Sequence, residues 1–241
     1  MKISYIITTY NRFEILIKHL KSECLTHRYI NDTVEIIVAD DGTKYTEEQI
    51  IEINRLADKF VCTDSFDKAT PSKARNLGIA AATGELLIFA DDDCLPHEDI
   101  ILQFRILSRG NVGVGYKKGD KMILELDSNN KKEIEKSLEG MAAVLYFQRY
   151  LRGDFGHGHF TSGSFAIWRE DLGDVKFDED FVGYGYEDKH FGYLLRNKGL
   201  IFEYMIQAMS YHAHETFNRP REQKNEEAKK NKELMYGKIN G

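Results

Sequence analysis

Three consecutive carboxylates, Asp91, Asp92 and Asp93, follow the uninterrupted apolar run Leu86-Leu87-Ile88-Phe89. Charges of one sign packed so closely repel unless a cation offsets them. With only oxygen ligands on offer, the matching cation is hard, Mg2+ or Mn2+, typically shared with a phosphate. A solvated acidic loop is the competing reading, and the neighbouring segments weigh against it. Thr8, Thr9 and Tyr10 follow one apolar run, and Asp40 and Asp41 end another. Asp-Asp-Gly is also a common turn former, so one of Asp40 and Asp41 could serve the backbone alone. Further on, Glu187 and Asp188 open a helical pattern, where the helix dipole favours an ionised carboxylate. His212 and His214 are spaced so that both would face one side of a strand.

What must position these groups is an alternation of strands and helices. Residues 3–8, 34–39 and 60–63 read as strands, and the apolar run before Asp91 suits a strand covered on both faces. Asn11 reads as a helix N-cap with Glu14 completing a capping box, and Phe13, Ile17, Leu20 and Cys24 share one face. Thr46 and Gln49 repeat the capping pattern ahead of Ile50, Ile53, Ala57 and Phe60. Thr70 and Pro71 open a third helix, which Gly84 stops. This order predicts a doubly wound, mainly parallel half over residues 1–96. Right-handed crossovers would bring the strand exits to one edge, where such sheets bind ligands.

Beyond Pro96 the pattern changes, and residues 97–215 read as a smaller second half. Ile100, Ile101, Phe104 and Leu107 suggest a helix, followed by strands over 112–116 and 122–126. Ile134, Leu138, Met141 and Leu145 mark a longer helix, and 152–164 is an aperiodic loop. A strand over 165–168 and a helix over 187–197, stopped by Gly199, complete it. Residues 216–241 are rich in Lys, Glu and Asn and read as a solvated helix or tail without chemistry.

Composition narrows the function classes. Of 241 residues, 42% are hydrophobic and 30% charged, the proportions of a packed domain. A net charge of −6 argues against a broad nucleic-acid-binding surface. Cys24, Cys62 and Cys94 show no metal-ligand spacing and read as free thiols in a reducing compartment. No apolar stretch suits a membrane span. The expected location is cytoplasmic, with peripheral membrane association left open.

Five blocks carry a resemblance. They are Ile6-Ile7-Thr8-Thr9-Tyr10-Asn11-Arg12, Ile37-Val38-Ala39-Asp40-Asp41-Gly42-Thr43, Ala74-Arg75-Asn76-Leu77-Gly78-Ile79-Ala80, Phe89-Ala90-Asp91-Asp92-Asp93, and Phe177-Asp178-Glu179 with Gly183-Tyr184-Gly185-Tyr186-Glu187-Asp188. In this order they resemble glycosyltransferase family 2, of the GT-A fold. The fifth looks like a segment shared with β-1,4-galactosyltransferases and chondroitin-polymerase-like enzymes. The resemblance implies a metal-dependent, inverting transfer from a UDP-sugar donor to a carbohydrate acceptor. It implies that Thr8, Tyr10 and Asp41 hold uracil, with Thr9, Arg12 and Asp40 among the nucleotide-binding positions. Arg75 would meet the base or the pyrophosphate. Asp93 would bind Mn2+ or Mg2+ directly, while Asp91 and Asp92 hold ribose, sugar or metal-bound water.

A further metal ligand is implied at His212 or His214, the Tyr-His pairing favouring His212. Asp188 is the implied general base, with Glu187 beside it. This chain departs from the family with Tyr184 where Trp is usual and Tyr186 where Gly is usual, which leaves the acceptor open. His157 and His159 fit a lid or acceptor-side segment better than a second metal site, and residues 161–164 should line the cleft. Two other readings are a sugar nucleotidyltransferase and a non-catalytic nucleotide-sugar or glycan-binding module. The first usually shows a Gly-rich, basic phosphate loop after its first strand, where this chain has Thr-Thr-Tyr-Asn-Arg. Intact Asp93 and Asp188 speak against the second.

Overall fold

The computed structural model describes residues 1–26, 33–65, 69–119, 160–213 and 220–240. Among them, strands β1 (Lys2–Thr9), β2 (Thr33–Asp40), β3 (Lys59–Cys62), β4 (Leu86–Asp91), β5 (Cys94–Pro96), β6 (Asn111–Gly119), β7 (Ser164–Trp168) and β8 (Ile201–His212) form one sheet. Its order is β3-β2-β1-β4-β7-β6-β8-β5. The first four neighbours pair in parallel, as the alternation predicts. From β4 onward the sheet turns mixed: β7 runs antiparallel to β4 and β6, and β5 antiparallel to β8, while β6 and β8 are parallel.

The helices are α1 (Phe13–Leu20), α2 (Glu23–Thr26), α3 (Glu47–Leu56), α4 (Pro71–Ala81), α5 (Ile100–Arg105), α6 (Arg169–Leu172), α7 (Glu187–Asn197) and α8 (Arg221–Asn240). Successive strand residues point to opposite faces, and the core divides accordingly. Ile3, Tyr5, Ile7, Leu86, Ile88 and Ala90 join Leu16, Leu20, Ile53 and Phe104 from α1, α3 and α5. Ile6, Leu87 and Phe89 join Phe177 and the α7 residues Phe191 and Leu195 on the other side. α4 also lies on that second face, and closely. A Cβ at Gly78 would stand 2.6 Å from Ile6 Cγ2, so the glycine sets the approach. No helix among the described residues is long and apolar enough to cross a membrane.

Several local expectations shift. Asn11 is not an N-cap: it adopts φ +53°, and Arg12 takes the cap position without a side-chain cap bond. The cause is tertiary, because the Asn11 amide donates to Thr43 Oγ1 at 2.8 Å. α1 ends at Leu20, and Cys24 falls in α2. The Thr46–Gln49 capping box is present in both directions, at 3.3 and 3.0 Å. Thr70 precedes α4 as expected but makes no cap bond. Gly84 does not cap α4, which ends at Ala81; a Cβ there would sit 2.5 Å from the Ser4 nitrogen, so its role is close packing. The C-terminal stretch is a helix, one of the two forms expected, but it is docked rather than solvated, with Asn231 and Met235 buried. The strand expected over 122–126, the helix of Ile134 and Leu145, His157, His159, most of the 152–164 loop and His214 lie outside the described residues.

Candidate active site

Strand register builds the site. Thr9 pairs with Asp40 across β1 and β2, and Thr8 with Asp91 across β1 and β4. The exits of the three strands therefore share one sheet edge. The acidic turn after β4 is pinned by its backbone: Asp92 donates to Thr8 O at 3.0 Å, Asp91 to Gly163 O at 3.1 Å, and Asp93 O accepts from Ala213 at 2.7 Å. His19, fully buried, holds the same turn from below. Its Nδ1 lies 3.1 Å from Asp92 O and its Nε2 3.1 Å from the Tyr5 hydroxyl. A carbonyl only accepts, so Nδ1 carries the proton and Nε2 accepts from Tyr5. Burial pushes this imidazole down to about 4, keeping it neutral.

The repulsion within the triad is offset inside the chain, which the composition of that turn alone does not reveal. Arg12 Nη1 donates to Asp92 Oδ1 at 3.0 Å and also to Asp93 Oδ2. Arg75, 5% exposed, donates to Asp91 Oδ1 at 3.0 Å and to Glu187 Oε1 at 3.2 Å. One guanidinium thus ties the β4 exit to the start of α7, bringing Asp91 and Glu187 into one site. Burial raises the Asp91 carboxyl, but Arg75 and Lys117 outweigh it and hold it below its ordinary value. Asp92, buried and beside Asp93, is pushed up to about 7 despite Arg12. Asp188 is likewise pushed up to about 7, first by burial and then by the Glu187 charge. Glu187 Oε2 is buried without a hydrogen-bond partner among the described residues.

The β2 exit divides its two carboxylates. Asp40 accepts from Thr43 N at 2.5 Å, Thr43 Oγ1 at 2.7 Å and Tyr45 OH at 2.9 Å, all within its own turn. Asp41 accepts from Thr70 N at 2.6 Å and Thr70 Oγ1 at 2.5 Å. A carboxylate has about four acceptor sites, so further donors can reach Asp41. Burial pushes it up to about 6, against the Thr70 donors. Thr9 Oγ1 donates to Asp92 Oδ2 at 2.7 Å. Thr8 is buried, and the half-buried Tyr10 borders a cavity of about 540 Å3 that reaches Gly183 and α8.

Asp93, Cys94 and His212 offer ligand atoms within 4.8 Å of one another. His212 Nε2 lies 3.6 Å from Asp93 Oδ1. One carboxylate oxygen and one imidazole nitrogen fit a divalent ion such as Mn2+ better than Mg2+, which prefers oxygen throughout. The Cys94 thiol is buried and pushed well up by desolvation, and soft sulfur suits neither ion.

Two residues here carry no task in the sequence reading. Lys117, on β6, faces the acids: a Cβ at Gly163 would meet both Lys117 Nζ, at 2.8 Å, and Asp91 Oδ2, at 2.7 Å. Its signal was a cation directly after a predicted strand, the rule applied at the other exits. Asn76 grips the Phe177 backbone, donating to its carbonyl at 2.9 Å and accepting its amide at 3.0 Å. That contact docks the Phe177-Asp178-Glu179 block on α4, and nothing local in the sequence signals it.

The profile of Glycosyl transferase family 2 matches residues 4–175. Chondroitin synthase of Pasteurella multocida (strain Pm70) is 28% identical over 240 residues, covering 87% of this chain and 24% of that protein. The GalNAc(5)-diNAcBac-PP-undecaprenol beta-1,3-glucosyltransferase of Campylobacter jejuni is 27% identical over 190 residues, covering 76% and 56%. The chain therefore spans about a quarter of the first relative and just over half of the second. A mannosyltransferase from Pyrobaculum calidifontis, solved in complex with GDP-Man and Mn2+, aligns with a TM-score of 0.60 at 17% identity, covering 90% of this chain and 58% of that one. Glucosyl-3-phosphoglycerate synthase from Mycobacterium tuberculosis, in complex with Mn2+, UDP and glucosyl-3-phosphoglycerate, aligns with a TM-score of 0.59 at 16% identity, covering 95% and 76%. These likenesses show the GT-A fold.

Proposed function

The chain belongs to glycosyl transferase family 2, and on that premise we propose that it moves a sugar from a UDP-sugar to a carbohydrate hydroxyl, with inversion and with a divalent metal, Mn2+ rather than Mg2+. The observation that carries this reading is Arg75, whose two nitrogens join Asp91 of the donor edge to Glu187 beside Asp188. A donor phosphate at the strand exits and an acceptor at the start of α7 would then lie across one guanidinium. Asp188 takes the acceptor's proton as that oxygen attacks the anomeric carbon. The bond to UDP breaks on the opposite side, its electron pair staying on the β-phosphate oxygen, so an α-linked donor yields a β product. Glu187 Oε2, buried and without a hydrogen-bond partner among the described residues, is suited to accept a sugar hydroxyl.

Asp93 and His212 would hold the ion, which when bound supplies Lewis-acid stabilisation of the diphosphate charge. Lys117 adds a fixed positive charge on the same side. Asp41 supports uridine, since a carboxylate can accept the N3–H of uracil and Tyr10 can stack on the ring. The beta-1,3 linkage in the Campylobacter relative's name agrees with inversion. The UDP and Mn2+ bound to the Mycobacterium neighbour agree with the donor and metal.

The test is a screen of UDP-sugars and GDP-mannose for nucleotide release with Mn2+ present. Release from at least one UDP-sugar, abolished by chelation and restored by Mn2+, is expected. Full activity in excess chelator would overturn the metal assignment, and turnover of GDP-mannose alone would overturn the uridine one.

A further inference from the structure

α8 is mostly polar, yet it is docked, and two of its polar side chains converge on the short turn that precedes α7. Asn231 is 5% exposed. Its Nδ2 lies 2.9 Å from Gly185 O, 3.2 Å from Val182 O and 3.3 Å from Tyr184 O. One turn of helix earlier, Glu227 Oε2 accepts the Tyr184 amide at 2.8 Å. A Cβ at Gly183 would stand 2.7 Å from the Glu227 carboxyl carbon, so the glycine leaves room for that side chain in its present position. Near the far end of α8, Lys238 Nζ reaches Asp178 at 2.8 Å and Asp180 at 2.7 Å.

The turn itself needs holding. Gly183, Gly185 and Tyr186 stand at φ +84°, +90° and +73°. For tyrosine such a backbone persists only where its surroundings over-determine it. Tyr186 is also the N-cap of α7, and it makes no side-chain cap bond. The direction in which Glu187 and Asp188 leave that cap therefore depends on what fixes residues 182–186. Those fixings are the carbonyl contacts from Asn231, the Glu227 bond, and Gly183 N donating to Ala69 O at 2.8 Å.

We propose that Asn231 is a positioning residue for sugar transfer: its amide, seconded by Glu227, locks the 182–186 turn so that Asp188 and Glu187 face the acceptor. The inference rests on the assignment of Asp188 as base. Asn231 touches none of the reacting groups and acts through the backbone of the turn. The side chain must donate to carbonyls, which an ionised aspartate in its place cannot do.

The test uses the full chain, the UDP-sugar turned over fastest with Mn2+, and the variants Asn231→Ala, Asn231→Asp and Glu227→Ala. For Asn231→Ala, kcat should fall about 10–100-fold, the cost of a misplacement on the order of 1 Å. UDP affinity with Mn2+ and the donor KM should change much less than kcat: Asn231 lines the cavity that Tyr10 borders, but the carboxylates read as donor contacts lie at the strand exits. Asn231→Asp should lose at least as much as the alanine variant, because it cannot donate. Amide exchange should quicken over 183–190 and not over 33–65. Glu227 is half-buried and its replacement leaves the core intact, so Glu227→Ala, with a smaller drop and the same split, decides the matter if Asn231 variants do not fold. Near-normal kcat in folded variants, full rescue by aspartate, or parallel loss of kcat and UDP affinity would overturn the inference. A wild-type chain inert with every UDP-sugar would instead overturn the proposed function, and this consequence of it.

Discussion

As the proposed general base, Asp188 sits between two demands. A general base must be ionised to accept a proton, yet burial and the Glu187 charge push its carboxyl up to about 7. Arg75 and Lys117 pull the other way. The balance places the group where proton transfer is efficient near neutral pH. The proton-free form is the active one, so kcat/KM should rise as pH increases through about 7 and then level off. A rate that falls across that range would contradict the role. Asp188→Asn keeps the size and removes the base, so kcat should drop about 10²–10⁴-fold. Its UDP affinity in the presence of Mn2+ should change little, in contrast to Asp93→Asn, which should weaken metal-dependent UDP binding itself.

Among the elements, the parallel strands are anchored at the edge opposite the site by Glu35 of β2. Its carboxylate accepts from Ser4 Oγ of β1 at 2.5 Å, from Thr83 N at 2.5 Å and Oγ1 at 2.9 Å, and from Lys59 Nζ of β3 at 3.1 Å. One side chain thus links three strands to the segment between α4 and β4. Burial would raise its carboxyl, but the donors outweigh it and bring it down to about 2. Removing a buried, paired charge leaves its donors unsatisfied, so Glu35→Ala should lose about 2–4 kcal/mol in urea unfolding at pH 7. Because the folded-state value lies below the ordinary 4.5, this stabilisation is present above that pH and is lost as pH falls toward 2. The gap between wild type and variant should close over that window. A gap independent of pH would show that lost packing, not the charge, carries the effect.

At the scale of the molecule, Asp41 follows β2, Asp93 lies in the turn between β4 and β5, and His212 ends β8 of the same sheet. A nucleotide and metal bound across that edge would tie the two sides together. UDP with Mn2+ at about 100 times its dissociation constant should add about 2.7 kcal/mol to stability. For a chain of this size that is a rise in Tm of about 5–10 °C. Chelator should remove most of the rise, His212→Ala should reduce it, and GDP should give less. Equal shifts for UDP and GDP would count against Asp41 as the reader of uracil.

The parallel half was legible because its signals are local. Apolar runs of strand length and the Thr46–Gln49 capping box each report backbone geometry within a few residues. The alternation of strands and helices, with right-handed crossovers, likewise implied that Thr8, Asp40 and Asp91 would leave the sheet along one edge, and the register aligns them. Partner choice was not legible. Arg12 meets acids 80 and 81 positions away, Arg75 meets Glu187 across 112, and Asn231 meets the turn before α7 across 46 to 49. Asn11 was misread for the same reason, its amide being claimed by Thr43 across 32 positions. The polar pattern of α8 was equally consistent with a solvated helix, because hydrogen bonds to distant carbonyls leave no apolar stripe to read. Periodicity decides what each segment becomes; which cation meets which carboxylate depends on how distant segments dock on the sheet, and only the folded chain sets that.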